Sequence, residues 1–386
     1  MIALERIRER MAGLVSEGVL AEEEALRESH ARAVWTCLTE PGDAVAGAAI
    51  DALGAADALD LALEGAGRQT SDERWKAGLA RWMPRVSTVD DALDRARRSG
   101  SRLLTPLEEA WPVGLSDLGA HAPHAVWVRG ALGATAGAPG VALVGARAAT
   151  AYGEHVATEL SAGLTTSGIA IVSGGAYGID GMAHRAALAA GGTTIAVLAG
   201  GVDRLYPAGH ADMLRRVAAS GGAVIAEAPC GTTPTKWRFL QRNRLIAALS
   251  AATVVVEAGW RSGSLNTAGH AASLGRPLGA VPGPVTSAAS AGCHRLLREY
   301  DARCVTAVDE IRELRGETEG TRLPEGTRTD HTSRLADALS TRSPRPLADV
   351  ARRAGFSVDD AQTLLGFAEL EGTARRTAAG WLSTGR

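Results

Sequence analysis

Lysine is nearly missing from this chain. Lys76 and Lys236 are the only two, although lysine and arginine together number 41. Arginine therefore carries almost all the positive charge, and a lysine inside a motif, as Lys236 is, stands out. The formal net charge is −2, so no global basic field draws a polyanion to the whole surface, and any such binding needs a local patch. Cysteine is scarce too. Cys37, Cys230, Cys293 and Cys304 are scattered with no C-x-x-C among them, which removes the usual zinc and thioredoxin spacings. Free thiols of this kind fit a reducing cytosol. No run of 18 or more apolar residues occurs, so no membrane span is expected. The first residues, Met-Ile-Ala-Leu-Glu-Arg-Ile-Arg, carry charges from Glu5 onward, and no signal peptide is expected. Nucleotide-enzyme fingerprints are also missing. There is no Gly-Lys pair, hence no G-x-x-x-x-G-K-[ST], and no G-x-G-x-x-G follows the first apolar run of the central region. Those absences argue against an ATPase and a dinucleotide dehydrogenase.

What is present is ordinary globular material. Apolar residues make up 46% and charged residues 22% of the 386, enough for a sizeable core in two or three domains. Residues 1–95 read as a small helical domain. Leu4, Ile7, Met11 and Leu14 recur at helical spacing, and Ala- and Leu-rich stretches follow. From Val141 the pattern changes to short apolar runs: Val141–Val144, Ile169–Val172, Thr194–Leu198, Ala223–Ala226, Thr253–Val256, Pro277–Val281 and Arg303–Ala307. Their starts lie 24 to 30 residues apart, with room for one helix between each pair. Continuous apolar runs are what parallel strands look like when helices cover both faces. The alternation predicts an open α/β sheet, placed in a domain at 96–314. Residues 315–332 are poor in apolar side chains and read as a linker. Residues 333–386 form a last unit: a helix around Leu347–Ala351, a turn at Gly355–Ser357 with Ser357 as N-cap, a helix from Val358 and a hairpin at Ala374–Ser383. That order is winged-helix-like.

Glycines gather where the apolar runs end: Gly145-Ala146-Arg147, Ser173-Gly174-Gly175, and Gly200-Gly201. In such a sheet ligands bind at the carboxyl ends of the strands, and glycine lets backbone N–H groups approach a phosphate. The alternative is that glycine simply makes tight turns. Repetition in three successive units favours a ligand-binding rim. The most informative stretch is Lys236-Trp237-Arg238-Phe239-Leu240-Gln241-Arg242-Asn243-Arg244. It holds four cations, two aromatic rings and no acid. Single strands are held by cations that follow the phosphates and by rings that stack on bases. The competing reading is a solvated basic turn leading into a helix Leu245–Leu249. Further on, Ser262-Gly263-Ser264 opens another helix, where a serine could cap the first turn or the terminus could hold a phosphate. Asp180, His184, Asp203, His210, Glu227, Glu257 and His270 invite a catalytic reading. No metal set and no nucleophile elbow accompany them, so no catalytic residue, metal or cofactor is expected.

Taken in order, these motifs resemble the DNA-processing protein A (DprA/Smf) family. The resemblance is carried by Val144-Gly145-Ala146-Arg147 with Thr150, Tyr152 and Gly153, by Ser173-Gly174 with Gly178-Ile179-Asp180 and Ala183-His184, and by Gly200-Gly201-Val202-Asp203 with Tyr206-Pro207. It continues through Phe239, Arg242-Asn243-Arg244, Glu257-Ala258, Ser262-Gly263-Ser264-Leu265, Thr267-Ala268 and Ala280-Val281-Pro282-Gly283. Trp111-Pro112, Leu115, Leu118 and Gly130 resemble the family's lead-in to the first strand. Leu240 stands where the family usually has proline, Tyr177 where it often has a basic residue, and Ala146 where it often has serine. The resemblance implies a Rossmann-like domain that forms a homodimer and binds single-stranded DNA. It also implies a non-enzymatic, cytoplasmic role: protecting incoming strands and helping to load the recombinase RecA in natural transformation. The implied DNA site comprises Gly145, Arg147, Ser173, Gly174, Lys236, Phe239, Arg242, Asn243, Arg244, Ser262, Gly263 and Ser264. Within it Arg147 and Lys236 would hold phosphates, Phe239 would stack and Asn243 would reach a base edge.

Two other readings stand beside this one. A phosphoribohydrolase acting on nucleoside monophosphates has a related fold, but its P-G-G-x-G-T-x-x-E string is missing. A winged-helix transcriptional regulator would read DNA with Ser357–Gly372. That segment holds Asp359, Asp360, Glu369 and Glu371 and no basic residue, the wrong charge for a helix lying among phosphates. A protein partner suits it better.

Overall fold

A computed structural model describes residues 3–64, 71–132, 139–317 and 331–384. The chain divides into two compact units, Met1–Glu317 and Thr318–Arg386.

Helices open the first unit: α1 (Leu4–Met11), α2 (Glu17–Ala21), α3 (Glu23–Leu38), α4 (Ala44–Leu53), α5 (Ala55–Leu63), α6 (Glu73–Trp82) and α7 (Val89–Arg98). Aspartates start two of them. Asp43 accepts from the N–H groups of Val45 and Ala46, and Asp72 from those of Arg74 and Trp75. These helices do not form a core of their own, as a separate domain would. Trp35 packs edge-on against Trp82 at 5.1 Å. The indole N–H of Trp127, on the sheet, donates to Thr36 Oγ1 at 3.2 Å. One hydrophobic cluster runs from Met11, Leu26 and Trp35 to Ala196, Leu198 and Val224 of the sheet. Large aromatic rings bury much apolar area, and their polar tips need partners. Both needs tie the helices to the sheet, so residues 1–95 belong to the same compact unit.

The sheet has strands β1 (Arg102–Leu104), β2 (Val126–Gly130), β3 (Gly140–Gly145), β4 (Ile171–Ser173), β5 (Thr194–Leu198), β6 (Ala223–Ala226), β7 (Ser250–Glu257), β8 (Leu278–Ala280) and β9 (Arg303–Cys304). Their order is β1-β2-β6-β5-β4-β3-β7-β8-β9. β3 to β9 pair in parallel, as the apolar runs predict. β1 and β2 add an antiparallel edge that the sequence reading did not foresee. Helices α8 (Ala151–Thr166), α9 (Ile179–Ala189), α10 (Ala211–Ala219), α11 (Lys236–Ala248), α12 (Ser264–Ser273), α13 (Ala291–Glu299) and α14 (Val308–Leu314) alternate with the strands. The chain starts the parallel set at β3, winds outward to β6, then returns to β7 on the opposite side of β3. Strand order therefore reverses between β3 and β7, the place where open α/β sheets form a crevice.

The expected linker at 315–332 lies, from 318 to 330, outside the described residues. The second unit contains α15 (His331–Ala338), α16 (Leu347–Ala354), α17 (Val358–Leu370) and a hairpin of β10 (Ala374–Thr377) and β11 (Gly380–Ser383). Ser357 caps α17 by accepting from the Asp360 N–H at 3.1 Å. A small core of Leu335, Val350, Leu365 and Trp381 holds it together. No helix among the described residues is long and apolar enough to cross a membrane.

Candidate functional site

A cleft of about 790 Å3 opens at the β3/β7 reversal. Its floor is the end of β3 and the loop after it, Val144 to Ala148. One wall is α11, and the other is the loop Gly259–Ser264 with the start of α12. The α11 wall differs from the sequence reading. The competing reading of this segment, a basic turn before a helix at Leu245, does not hold: it is helical from Lys236 on, because Thr235 caps it by accepting from the Arg238 N–H at 3.3 Å. Helical phase then sorts the side chains. Lys236, Phe239, Leu240, Asn243 and Ile246 stand at i, i+3, i+4, i+7 and i+10 and line the cleft. Arg238 and Arg244 point elsewhere. Arg238 forms a two-pronged ion pair with Glu40 of the helical segment, at 2.9 and 2.8 Å. Arg244 is buried, and one of its nitrogens holds both oxygens of Glu227 at 2.6 and 2.7 Å. The expectation that Arg244 faces DNA is thus corrected: its charge is spent inside the fold.

Phe239 is the centre of the cleft's aromatic contacts. The Arg147 guanidinium lies 4.7 Å from its ring centroid and that of Arg242 5.8 Å. Tyr206, half exposed, stands 5.9 Å away. Arg242 is buried, and its Nη1 donates to the carbonyls of Gly174 and Val197 at 2.7 and 2.5 Å. Burial pulls its pKa down to about 10, against the opposing pull of Asp180 and with further lowering by Arg147. It remains a fixed cation in the cleft lining. By contrast, Arg147, Lys236 and Arg261 line the cleft, are exposed and have no ion pair among the described residues. Asn243 Nδ2 donates to Gly263 O at 3.3 Å and to Asn266 Oδ1 at 3.2 Å, which joins the two walls. Ser262 and Ser264 share a hydroxyl hydrogen bond at 2.7 Å, and Ser262 Oγ also accepts from the Ser264 N–H at the start of α12 at 3.4 Å.

The glycine rim has another use than the one expected. Asp180, buried at the start of α9, accepts from the N–H of Gly174 at 3.0 Å and from those of Gly145 and Ala176. Those donors are taken. Burial raises the Asp180 pKa, with Arg242 and the three N–H groups working against that rise. Gly174 is glycine for a steric reason. A Cβ there would sit 1.9 Å from Arg242 Nη1, so only glycine leaves the guanidinium its place. Ser173 is fully buried, and its hydroxyl donates to Leu143 O at 2.6 Å. Nine of the twelve sequence-derived residues therefore line the cleft; Ser173, Gly174 and Arg244 do not. Arg261 and Tyr206 also line it; neither is among the twelve, although Tyr206 belongs to a motif that carries the family resemblance.

Asp180, His184, Asp203, His210, Glu227 and Glu257, which invited a catalytic reading, are engaged in the fold. Glu257 accepts from the N–H and hydroxyl of Thr150 at 2.8 and 2.7 Å. Asp203 accepts from the Gly231 N–H at 2.9 Å. His184 Nδ1 lies 2.7 Å from Thr194 Oγ1, whose hydroxyl donates to Ile171 O. His210 Nδ1 lies 3.0 Å from Gly175 O. No group of three or more metal-ligating side chains occurs among the described residues. The cleft offers fixed and free cations, a ring face and hydroxyls, which together suit phosphates joined to aromatic bases.

The family model described as DNA recombination-mediator protein A matches residues 102–316. A DNA processing protein DprA of Mycobacterium tuberculosis is 52% identical over 242 residues, 60% of this chain and 62% of that relative. The chain thus spans less than two thirds of the length of this curated relative. Among solved structures, DprA from Streptococcus pneumoniae superposes with a TM-score of 0.60 at 30% identity, covering 74% of this chain and 97% of that one. DprA from Helicobacter pylori, described for its single-stranded DNA binding mode, gives a TM-score of 0.50 at 27% identity over 55% of this chain and 94% of that one.

Proposed function

The chain belongs to the DNA recombination-mediator protein A family, and from that premise we propose that its β3/β7 cleft binds single-stranded DNA. The observation that carries the reading is the convergence of three unpaired cations, Arg147, Lys236 and Arg261, around the half-buried ring of Phe239. Phosphates meet the cations and a base meets the ring. A duplex keeps its base faces stacked inside, whereas a single strand can turn one into the cleft. Nothing in this site reads base identity strongly, because Asn243 is already bonded across the walls, so sequence preference is weak.

The chain is, on this reading, a binding protein rather than an enzyme, acting in the cytoplasm as a homodimer that shields incoming strands and helps load RecA. The C-terminal unit is read as winged-helix-like and as a protein-docking element. Its α17 exposes Phe367 and Leu370, 59% and 85% accessible, and the carboxylates of Asp359, Asp360 and Glu369, a surface that suits a protein partner better than phosphates.

The test is photo-cross-linking of a single-stranded oligonucleotide carrying halogenated uracil, followed by peptide mapping on the full chain. Cross-links in the peptides bearing Phe239 or Tyr206 are expected. Cross-links confined to α17 would overturn the assignment and favour the transcription-regulator reading.

A further inference from the structure

Trp260 has no part in the site described above, yet it sits at its edge. It lies between Gly259 and Arg261, both of which line the cleft. Its indole is 55% exposed, a poor use of a large apolar ring unless something covers it. The ring is nonetheless held. The Arg295 guanidinium lies 5.2 Å from its centroid and 5.6 Å from that of Tyr300. The cause is in the backbone. The Gly292 N–H donates to Ala258 O at 2.7 Å. A Cβ on Gly292 would meet the carbonyl oxygens of Ala258 and Gly259 at 2.7 Å. Glycine therefore lets the first turn of α13 press against the loop. Arg295, one turn on and on the same helix face, then reaches the indole. Arg295 already pairs with Glu299 at 2.7 Å. Its charge is balanced there, and what it offers Trp260 is support for the ring.

The geometry points to Trp260 as a second base-stacking platform, for the nucleotide that leaves the cleft past Arg261, with Arg295 as its positioning residue. This inference rests on the cleft binding single-stranded DNA and extends the bound length beyond the cleft. Stacking is tolerant of sequence, since every base has a π face. A platform beside a paired arginine adds affinity without adding to the salt dependence, which counts only phosphates neutralised.

The experiment compares Trp260→Ala, Trp260→Phe and Phe239→Leu in the full chain, on oligothymidylates of about 5 and about 20 nucleotides, lengths that bracket a single-strand site. Trp260→Ala should weaken binding of the longer strand about tenfold, the loss of one stacked base. It should leave the salt slope unchanged and hold the shorter strand within about twofold. Trp260→Phe should restore most of the loss. Arg295→Ala should weaken the longer strand only while Trp260 is present, so the double variant should be no weaker than Trp260→Ala alone. Wild-type affinity of Trp260→Ala for the longer strand overturns the platform, as does an equal loss on both lengths or a change of oligomeric mass in sedimentation. Phe239→Leu separates the two claims. If it weakens both lengths while Trp260→Ala weakens neither, only the platform falls. If neither variant weakens either length, the reading of the cleft falls with it.

Discussion

Replacing Phe239 by leucine tests the stacking role directly, because leucine keeps apolar bulk and removes the π face. Phe239 is half-buried, so little burial energy is at stake. What the free protein loses is the contact with Arg147 at 4.7 Å, the longer one with Arg242 at 5.8 Å and the ring contact with Tyr206 at 5.9 Å. An exposed cation–π contact contributes about 0.5–1 kcal/mol, and Arg242 stays anchored by the carbonyls of Gly174 and Val197. Stability should therefore fall by about 1–2 kcal/mol. In the complex a stacked base contributes roughly 1–3 kcal/mol, of which leucine recovers part through apolar contact. Affinity should drop by about 1–2 kcal/mol, roughly 5- to 30-fold. Fluorescence anisotropy of a labelled oligothymidylate at several salt concentrations, with a thermal melt of the same sample, reads both quantities. The slope of log affinity against log salt should be unchanged, since no cation is lost. A lowered melting temperature with unaltered affinity would refute the stacking role and leave Phe239 as packing.

Lys236→Ala should do the reverse, flattening that slope by about 0.7, the single-strand value per phosphate, and Arg261→Ala should act alike. Arg244→Ala leaves Glu227 buried without its partner and should cost about 3–5 kcal/mol of stability in denaturant titration. The affinity of the folded fraction for DNA should stay as it was. His184 gives a pH dependence. Burial, reinforced by His210, Arg242 and Arg185, lowers its pKa to about 3, and His30 and His124 are lowered to about 4. The fold therefore holds these rings neutral. Their stability contribution is complete above the ordinary value near 6.5 and is lost as pH falls from there toward about 3 to 4. His184→Gln should make the denaturation midpoint less sensitive to acid, and an unchanged acid slope would count against it. A chain ending at Glu317, the limit of the first compact unit, should keep most of its single-strand affinity.

The parallel strands were legible because helices cover both faces of the sheet, so that β5 and β6 are unbroken apolar runs, Thr194–Leu198 and Ala223–Ala226. β1 and β2 were not. β1 is three residues with an exposed arginine, and β2 runs out in Arg129 and Gly130, so neither shows a period. The start of α11 was hidden for a different reason. Its first turns alternate cations with aromatic rings, which blurs helical periodicity, and only Thr235 marks the cap. Without the helix its phase is unknown, and phase decides which cations face the cleft. The partner that takes Arg238 is Glu40, 198 residues away in sequence, beyond the reach of any local charge count. Of the glycines at the ends of the apolar runs only Gly145 lines the cleft, and the carboxylate that takes the Gly174 N–H, Asp180, acts through tertiary contact. Spacing alone could not distinguish an internal anion from a bound phosphate.

The central claim, that the β3/β7 cleft takes a single strand, is tested most directly by titrating the full chain with single-stranded and duplex oligonucleotides of one length at two salt concentrations. The single strand should bind more tightly at both. Its log-affinity slope should be near −2, about 0.7 for each phosphate met by the three unpaired cations Arg147, Lys236 and Arg261. Equal or tighter binding of the duplex, or an affinity indifferent to salt, would contradict it.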